Sequence, residues 1–411
     1  MSLVLPTPGG NTDDGTLRAI SDFHPFLSAF RRDLHAHPEL GFEERRTAAR
    51  VAEALQDFGF DEVYTGVGRT GVVGVLRGRR AGSSSKSVGL RADMDALPVQ
   101  EEGTCAHRSV HAGRMHGCGH DGHVTMLLGA ARHLAHTRDF GGTVHFIFQP
   151  GEEGHAGARV MIEDGLFERF PCDAVYALHN WPSLPAGTVA VNPGAMMAAR
   201  DDFWLRIEGV GGHGAMPHRT ADPVVAACAV VAALQTVVSR NLDPALSAVL
   251  TVHSLQAGGV IAHGVPTQSV TVPPQADIAG IAKWFDASAG EVLRRRVAEI
   301  ARDCASALGT RADVRYLPFL PPTVNAPPCA ELVRRAATDL LGAARVFTGV
   351  LPSMASEDFS FMLNERPGAY FWLGVGEDVP GLHHPRYDFN DAVLPIGAAL
   401  LATIAREALA A

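Results

Sequence analysis

Cys118 and His120 stand in the run His116-Gly117-Cys118-Gly119-His120-Asp121. Two adjacent glutamates occupy Gln149-Pro150-Gly151-Glu152-Glu153-Gly154, and histidines follow leucine in Leu178-His179-Asn180 and Leu382-His383-His384-Pro385. Thiolate, imidazole and carboxylate together suit zinc, manganese, cobalt or nickel, and the mixture does not choose among them. Two neighbouring glutamates divide tasks that one cannot perform together: one binds metal, the other stays free to take a proton from metal-bound water. Two divalent cations roughly 3.5–4 Å apart would hold that water and polarise an amide carbonyl. The free glutamate would then pass its proton to the departing amine. Asp93 and Asp95, in Arg91-Ala92-Asp93-Met94-Asp95, are placed to orient imidazole ligands from behind. Taken singly, each feature has an ordinary reading: a satisfied polar histidine, a solvated Glu-Glu pair, turn aspartates. Their convergence on one sheet edge is what sets those readings aside.

That edge follows from the pattern of elements. Helical periodicity covers 17–36 and 45–59, with short strands near 61–65 and 71–77. Val88–Arg91, Thr143–Phe148 and Ala174–Leu178 read as buried strands, separated by helices beginning near Asp121 and near Ala156. This alternation predicts an α/β fold with a mostly parallel sheet and helices on both faces. Ligands collect at the carboxyl ends of such strands, where Asp93, Glu152 and His179 fall. Residues 81–87 read as a polar surface loop. From Asp201 to about Leu320 the order becomes strand, helix, two strands, helix, strand, with strands near 201–209, 248–256, 269–280 and 312–318. The first of these helices opens on Asp222-Pro223 and the second on Ser288 and Glu291 at capping-box spacing. The order predicts an inserted ferredoxin-like α+β lid. The expected division is therefore a discontinuous catalytic domain at 1–197 and 321–411 around a lid at 198–320.

Composition excludes several other classes. At 411 residues the chain exceeds one ordinary core. With 46% hydrophobic and 19% charged residues it is globular, not disordered. The net charge of −9 is spread without basic runs, which argues against a nucleic-acid partner. No window approaches eighteen consecutive apolar residues, so no membrane span is expected. The start, MSLVLPTPGGNTDDG, lacks the basic and apolar segments of a signal peptide, and a cytoplasmic location is expected. Six cysteines make no disulfide framework; Cys105, Cys172, Cys228, Cys304 and Cys329 read as small buried hydrophobes. No GxSxG elbow for a nucleophilic serine is present.

The segments RRDLHAHPELGFEE (31–44), RADMDALPVQEE (91–102), MHGCGHDGH (115–123), FQPGEEG (148–154), ALHNWPSLPAG (177–187), GGHGAMPHRTADP (211–223), SEDFSFML (356–363) and LHHPRYDFND (382–391) run through most of the chain. They resemble the N-acyl-amino-acid amidohydrolases among the aminoacylase and glutamate-carboxypeptidase-like metallopeptidases, in the subgroup of hippurate and auxin-conjugate hydrolases. The resemblance implies Cys118, His120, Glu153, His179 and His383 as ligands of two divalent cations and Glu152 as general base. It selects His383 over His384, because the family's histidine follows leucine and lies two before proline. It gives Asp95 the place of the supporting aspartate. It matches His213 to a lid histidine that in relatives helps hold substrate or oxyanion, often in a partner subunit's site, which implies a homodimer built through the lids. Read alone, His213 is a loop histidine between glycines.

The lid departs from the family pattern. Relatives carry an Asn-Val-Ile-Pro stretch and a later arginine toward the substrate carboxylate. Here AHGVPTQSVTVPPQADIAGIAKWFD (262–286) puts Gly264 or Val270 at the asparagine and Lys283 at the arginine. Lysine keeps the charge but loses the flat bidentate fork, which bears on how a free α-carboxylate is recognised. The expected activity is hydrolysis of N-acyl amino acids, hippurate-like or N-acetylated. A dipeptidase, a carbamoyl-amino-acid hydrolase, or a catalytically silent metal- or ligand-binding relative are the alternatives.

Overall fold

The computed structural model describes residues 15–80, 85–259 and 271–410. Residues 81–84 of the polar loop, and Gly264 and Val270, lie outside these. The strands of the two main sheets are, in chain order, β1 Glu62–Val67, β2 Gly71–Arg77, β3 Ser87–Asp93, β4 Thr143–Gln149, β5 Ala174–Pro182, β6 Val189–Ala190, β7 Ala199–Glu208, β8 Ala248–Ala257, β9 Gln275–Trp284, β10 Arg311–Leu320, β11 Val346–Phe347 and β12 Gly368–Gly376. The principal helices are α1 His24–Ala36, α2 Arg45–Asp57, α3 His120–Thr137, α4 Pro223–Leu234, α5 Ala287–Ala307, α6 Pro327–Leu341 and α7 Leu394–Ala410. The chain forms two compact units. One comprises Met1–Met196, Thr323–Leu351 and Glu357–Ala411, the other Met197–Pro322 and Pro352–Ser356.

The larger unit is built on an eight-stranded sheet in the order β1-β2-β4-β3-β5-β12-β6-β11. Its centre, β4-β3-β5-β12, is parallel throughout, and β2 joins β4 antiparallel. The central strands are buried nearly end to end, as apolar runs covered on both faces must be. Helix α3 is buried along most of its length and runs close to α7. A Cβ on Gly129 would lie 2.7 Å from the Ala398 Cβ, so the glycine sets how near the two helices come. Asp391–Ala410 is long and apolar enough to cross a bilayer by composition, but most of it is buried inside this unit. It is a core helix.

Two expectations at the N-terminus need revision. The helix expected over 17–36 is two helices, Thr16–Ser21 and α1. Pro25 sits in the first turn of α1, where its missing N–H is harmless, and it cannot continue an earlier helix. The helix expected to reach 59 ends at Asp57, before Gly59 at φ 78°.

In the smaller unit the strands follow the order β8-β9-β7-β10, every pair antiparallel. With α4 after β7 and α5 after β9, this is the split βαβ topology of a ferredoxin-like fold. Burial alternates along β7, and Phe203, Leu205 and Ile207 pack with Val230 and Leu234 of α4 and Leu293 and Val297 of α5. The strand expected over 269–280 begins as β9 at Gln275; Pro273 and Pro274 cannot donate to a ladder and separate it from a short pairing at Thr271–Val272. Asp222 caps α4, accepting from the Val224 N–H at 2.8 Å. On α5 the cap is Asp286, not Ser288: its carboxylate accepts the Ser288 N–H at 2.8 Å, so Ser288 is already helical. All six cysteines are unpaired. Cys118, Cys172 and Cys329 are buried and Cys105 and Cys304 half-buried, but Cys228 is exposed, on the outer side of a helix that is apolar all round.

Candidate metal centre

Three strand ends and one helix start in the larger unit deliver the polar residues. β3 runs into Asp93 and then Asp95, β4 into the Gly151-Glu152-Glu153 loop, and β5 carries His179 and Asn180. The Cys118-Gly119 turn feeds His120 into the first position of α3. Gly119 has φ 89°, and a Cβ there would stand 2.3 Å from Asn180 Oδ1. Only glycine lets the thiol turn lie so close to β5. His383, after β12, has φ 65°, and its N–H donates to the Gly117 carbonyl at 2.8 Å. That bond ties the late histidine to the same turn.

These placements bring the side chains together. Ligand atoms of Cys118, His120 and His179 lie within 4.8 Å of one another, as do those of Cys118, Glu153 and His383, and those of His120, Glu152 and Glu153. Cys118 Sγ is 3.5 Å from His179 Nε2, and His383 Nε2 is 3.1 Å from Glu153 Oε1. Backbone carbonyls fix the imidazoles: His120 Nδ1 donates to Asp95 O at 2.8 Å and His179 Nδ1 to Asn180 O at 2.7 Å. Each ring is left with an Nε2 lone pair facing the cluster. His384 instead accepts the Arg386 N–H in a turn. His213 and Lys283 belong to the smaller unit. His213 is exposed, with Nδ1 accepting from Ala215 N at 3.1 Å; Lys283 Nζ donates to Ser356 Oγ at 3.0 Å.

Of the two aspartates, Asp95 stands behind a ligand imidazole as expected, its Oδ1 3.4 Å from His120 Nδ1. The Asp95 carboxylate also accepts the N–H groups of Glu152 and Glu153, at 3.1 and 2.9 Å, so it holds the glutamate loop as well, and its backbone carbonyl accepts from His120 at 2.8 Å. Asp93 bonds His123 Nδ1 at 2.6 Å, and His123 in turn meets Asn180 Oδ1 at 2.5 Å. A second carboxylate completes the loop's support. Glu44 accepts the Gly151 N–H at 2.8 Å and the Thr70 hydroxyl at 2.5 Å. Burial lifts it to about 7, opposed by Thr70 and assisted by Asp95. Behind the cluster, buried Arg91 meets Asp93 at 2.7 Å, Glu357 at 2.9 Å and Asp358 at 3.1 Å. Sequence reasoning assigned no role to Glu44, Arg91, His123, Glu357 or Asp358. The available signal was charge placed inside otherwise buried segments.

The donor set fits divalent cations. His120 Nε2 is buried and has no hydrogen-bond partner among the described residues, a costly arrangement unless a cation meets it. The surroundings are rich in negative charge. Burial opposes protonation of His120, yet Asp93, Asp95 and Glu153 hold it up to about 10. Burial, with Glu153 and Glu152, pushes the Cys118 thiol well above its usual range. Burial, then Glu357, Glu153, Asp358 and Asp95, do the same to Glu152. A proton acceptor must be ionised, and so must a thiolate ligand; positive charge at this point reverses both shifts.

A parallel sheet whose strand ends gather a thiol, imidazoles and paired glutamates defines a metallohydrolase. Residues 89–407 match the model of peptidase family M20/M25/M40, and the chain belongs to that family. It is 38% identical to a hippurate hydrolase of Campylobacter jejuni over 95% of this chain and 98% of that one. It is 38% identical to the IAA-amino acid hydrolase ILR1-like 4 of Arabidopsis thaliana, over 96% and 88%. The crystal structure of the Bacillus subtilis YXEP protein, a dinuclear metal binding peptidase of the M20 family, superposes with a TM-score of 0.80 at 31% identity, covering 95% of this chain and 99% of that one.

Proposed function

We propose that this enzyme hydrolyses the amide bond of small N-acyl amino acids, hippurate-like or N-acetylated, at two divalent cations held by Cys118, His120, Glu153, His179 and His383. The observation that carries the reading is the overlap of donor triads through Cys118, with Glu152 beside them as a carboxyl outside the ligand set. The similarity to a hippurate hydrolase and an IAA-amino acid hydrolase supports the substrate class. Divalent cations held by these side chains supply Lewis acidity toward a carbonyl oxygen and lower the pKa of water. Glu152 takes a proton from the attacking water as the carbonyl carbon gains its oxygen. It delivers that proton to the amine nitrogen as the C–N bond breaks, yielding a carboxylic acid and a free amino acid. Asp95 and Glu44 hold the loop amides of residues 151–153, which keeps the carboxyl aimed. Asp95 is thus a positioning residue.

His213 and Lys283 are proposed to contact the substrate from the smaller unit. Among the described residues, the Lys283 ammonium has a neutral hydroxyl as its hydrogen-bond partner, which leaves its charge for a carboxylate.

The test is metal removal combined with a substrate panel. Chelator treatment is expected to abolish turnover of N-acetyl and N-benzoyl amino acids, and zinc, manganese, cobalt or nickel to restore it. Dipeptides and N-carbamoyl amino acids are expected to be poorer substrates. Full turnover by the stripped enzyme would refute the metal mechanism; a preference for dipeptides or carbamoyl compounds would refute the substrate class.

A homodimer through the smaller unit is part of this proposal. β8 lies at the edge of its sheet, and Val224 and Val225 on α4 are exposed. Unpaired ladder groups and apolar surface of this kind are what an isologous interface uses. Light scattering coupled to gel filtration is expected to give twice the chain mass, and a fully active monomer would contradict it. Six unpaired cysteines fit the reducing cytoplasm.

A further inference from the structure

A second group of metal-competent side chains lies in the larger unit, in the connection between β3 and α3. Cys105-Ala106-His107 repeats, thirteen residues earlier, the spacing of Cys118-Gly119-His120. Ligand atoms of Cys105, of His35 on α1 and of Asp388 lie within 4.8 Å of one another. His107 Nε2 is 3.0 and 3.1 Å from the two Asp388 oxygens. Glu101 Oε1 is 3.4 Å from His35 Nε2 and 3.7 Å from Cys105 Sγ. Around a four-coordinate zinc, ligand atoms stand roughly 3.3–3.8 Å apart, given bonds of about 2.0–2.3 Å. The Glu101 separations from His35 and Cys105 fall within that range, and those of His107 from Asp388 lie just below it.

His35 is oriented as a ligand would be. Its Nδ1 faces Asp121 Oδ2 at 2.8 Å, the carboxylate–histidine arrangement that fixes a ring and raises the basicity of its other nitrogen. The resident cation is Arg31, which also reaches Asp388 at 2.8 Å and His107 Nε2 at 3.2 Å. Arg31 does not depend on them: Asp391 holds it at 2.7 Å, and Asp121 lies 3.5 Å away. Arg32 also pairs with Asp391, at 2.8 Å, and the four carboxylates of Glu101, Asp121, Asp388 and Asp391 still outnumber the two guanidinium groups. Access is open, since the Asp388 side chain is 39% exposed and Cys105 half-buried.

We propose that His35, Cys105, His107 and Asp388, with Glu101 beside them, form a third, structural cation site of the zinc type. It is separate from the catalytic cluster and pins the 101–109 segment to α1 and to the chain around Asp388. Thiolate, two imidazoles and a carboxylate form a donor set suited to zinc or cobalt.

Zinc content per chain tests this. The full-length protein, equilibrated with zinc and desalted, is expected to hold three equivalents, while Cys105→Ala and His107→Gln each hold one fewer. The difference between wild type and variant is the readout, so it stands whatever number the catalytic cluster binds. Circular dichroism verifies that each variant is folded. In cobalt-loaded Cys118→Ala, a thiolate-to-cobalt charge-transfer band is expected to persist and to vanish when Cys105→Ala is added. Equal zinc in wild type and both single variants, or no such band in Cys118→Ala, overturns the proposal.

Discussion

Glu152→Gln is expected to keep the catalytic metals and lose about 10²–10⁴-fold in kcat, the usual worth of a positioned general base. The substitution is isosteric and leaves Cys118, His120, Glu153, His179 and His383 untouched. The backbone N–H of residue 152 still donates to Asp95, so the loop stays in place. What disappears is the oxygen that can carry a proton. KM should change far less than kcat, because the lost interaction belongs to proton transfer rather than to substrate binding. The unfolding midpoint should not fall. Burial and the surrounding Glu357, Glu153, Asp358 and Asp95 already disfavour a charge at this position, and a neutral amide removes that repulsion. Metal content by elemental analysis, with steady-state kinetics on an N-acyl amino acid, decides the matter. Turnover within about threefold of wild type would remove Glu152 from the base role, since a true base is worth far more.

The contrast between Glu152 and its supports shows what a sequence can reveal about such a site. Cys118, His120, Glu152, Glu153 and His179 are legible because each follows a local signal: a strand ending in a polar residue, or a glycine-rich turn entering a helix. Strand ends on one edge of a parallel sheet must meet, so local signals suffice to group them. Glu44 and Glu357 have no such signal. Glu44 reaches Gly151 across 107 residues, and Arg91 reaches Glu357 across 266. Periodicity carries no information on contacts of that range. Asp95 is legible as a support and does stand beside His120, whereas its bonds from the amides of Glu152 and Glu153 depend on how the loop after β4 folds back and have no local signal. The α5 cap failed for a smaller reason. Asp286 and Ser288 both suit an N-cap, and the earlier residue won by capturing the Ser288 N–H. Proline marks are equally local, and Pro25 divides the first helical stretch where periodicity ran straight through.

Arg91→Met is expected to destabilise the larger unit by about 3–5 kcal/mol, the cost of removing one partner from a buried ionic group. Arg91 is fully buried on β3. Its guanidinium donates to Gln149 Oε1 at 2.8 Å as well as to Asp93, Glu357 and Asp358. Gln149 carries the network on, donating to both Asp358 oxygens at 2.8 and 3.0 Å. Methionine fills the volume but leaves three carboxylates facing one another in the interior. The effect should reach the catalytic cluster through Asp93, whose carboxylate also holds His123. Burial alone would raise Asp93; Arg91, His120 and His123 hold it well below the ordinary carboxylate range. Without Arg91 that carboxylate is more readily protonated, and its hold on His123 weakens. Arg91→Lys provides the graded comparison. It retains the charge but cannot span four partners with one ammonium, so its denaturation midpoint should lie between those of Arg91→Met and wild type. Urea unfolding of the three proteins measures this directly. A methionine variant as stable as wild type would mean that the carboxylates are neutral in the folded protein and that Arg91 is not what offsets them.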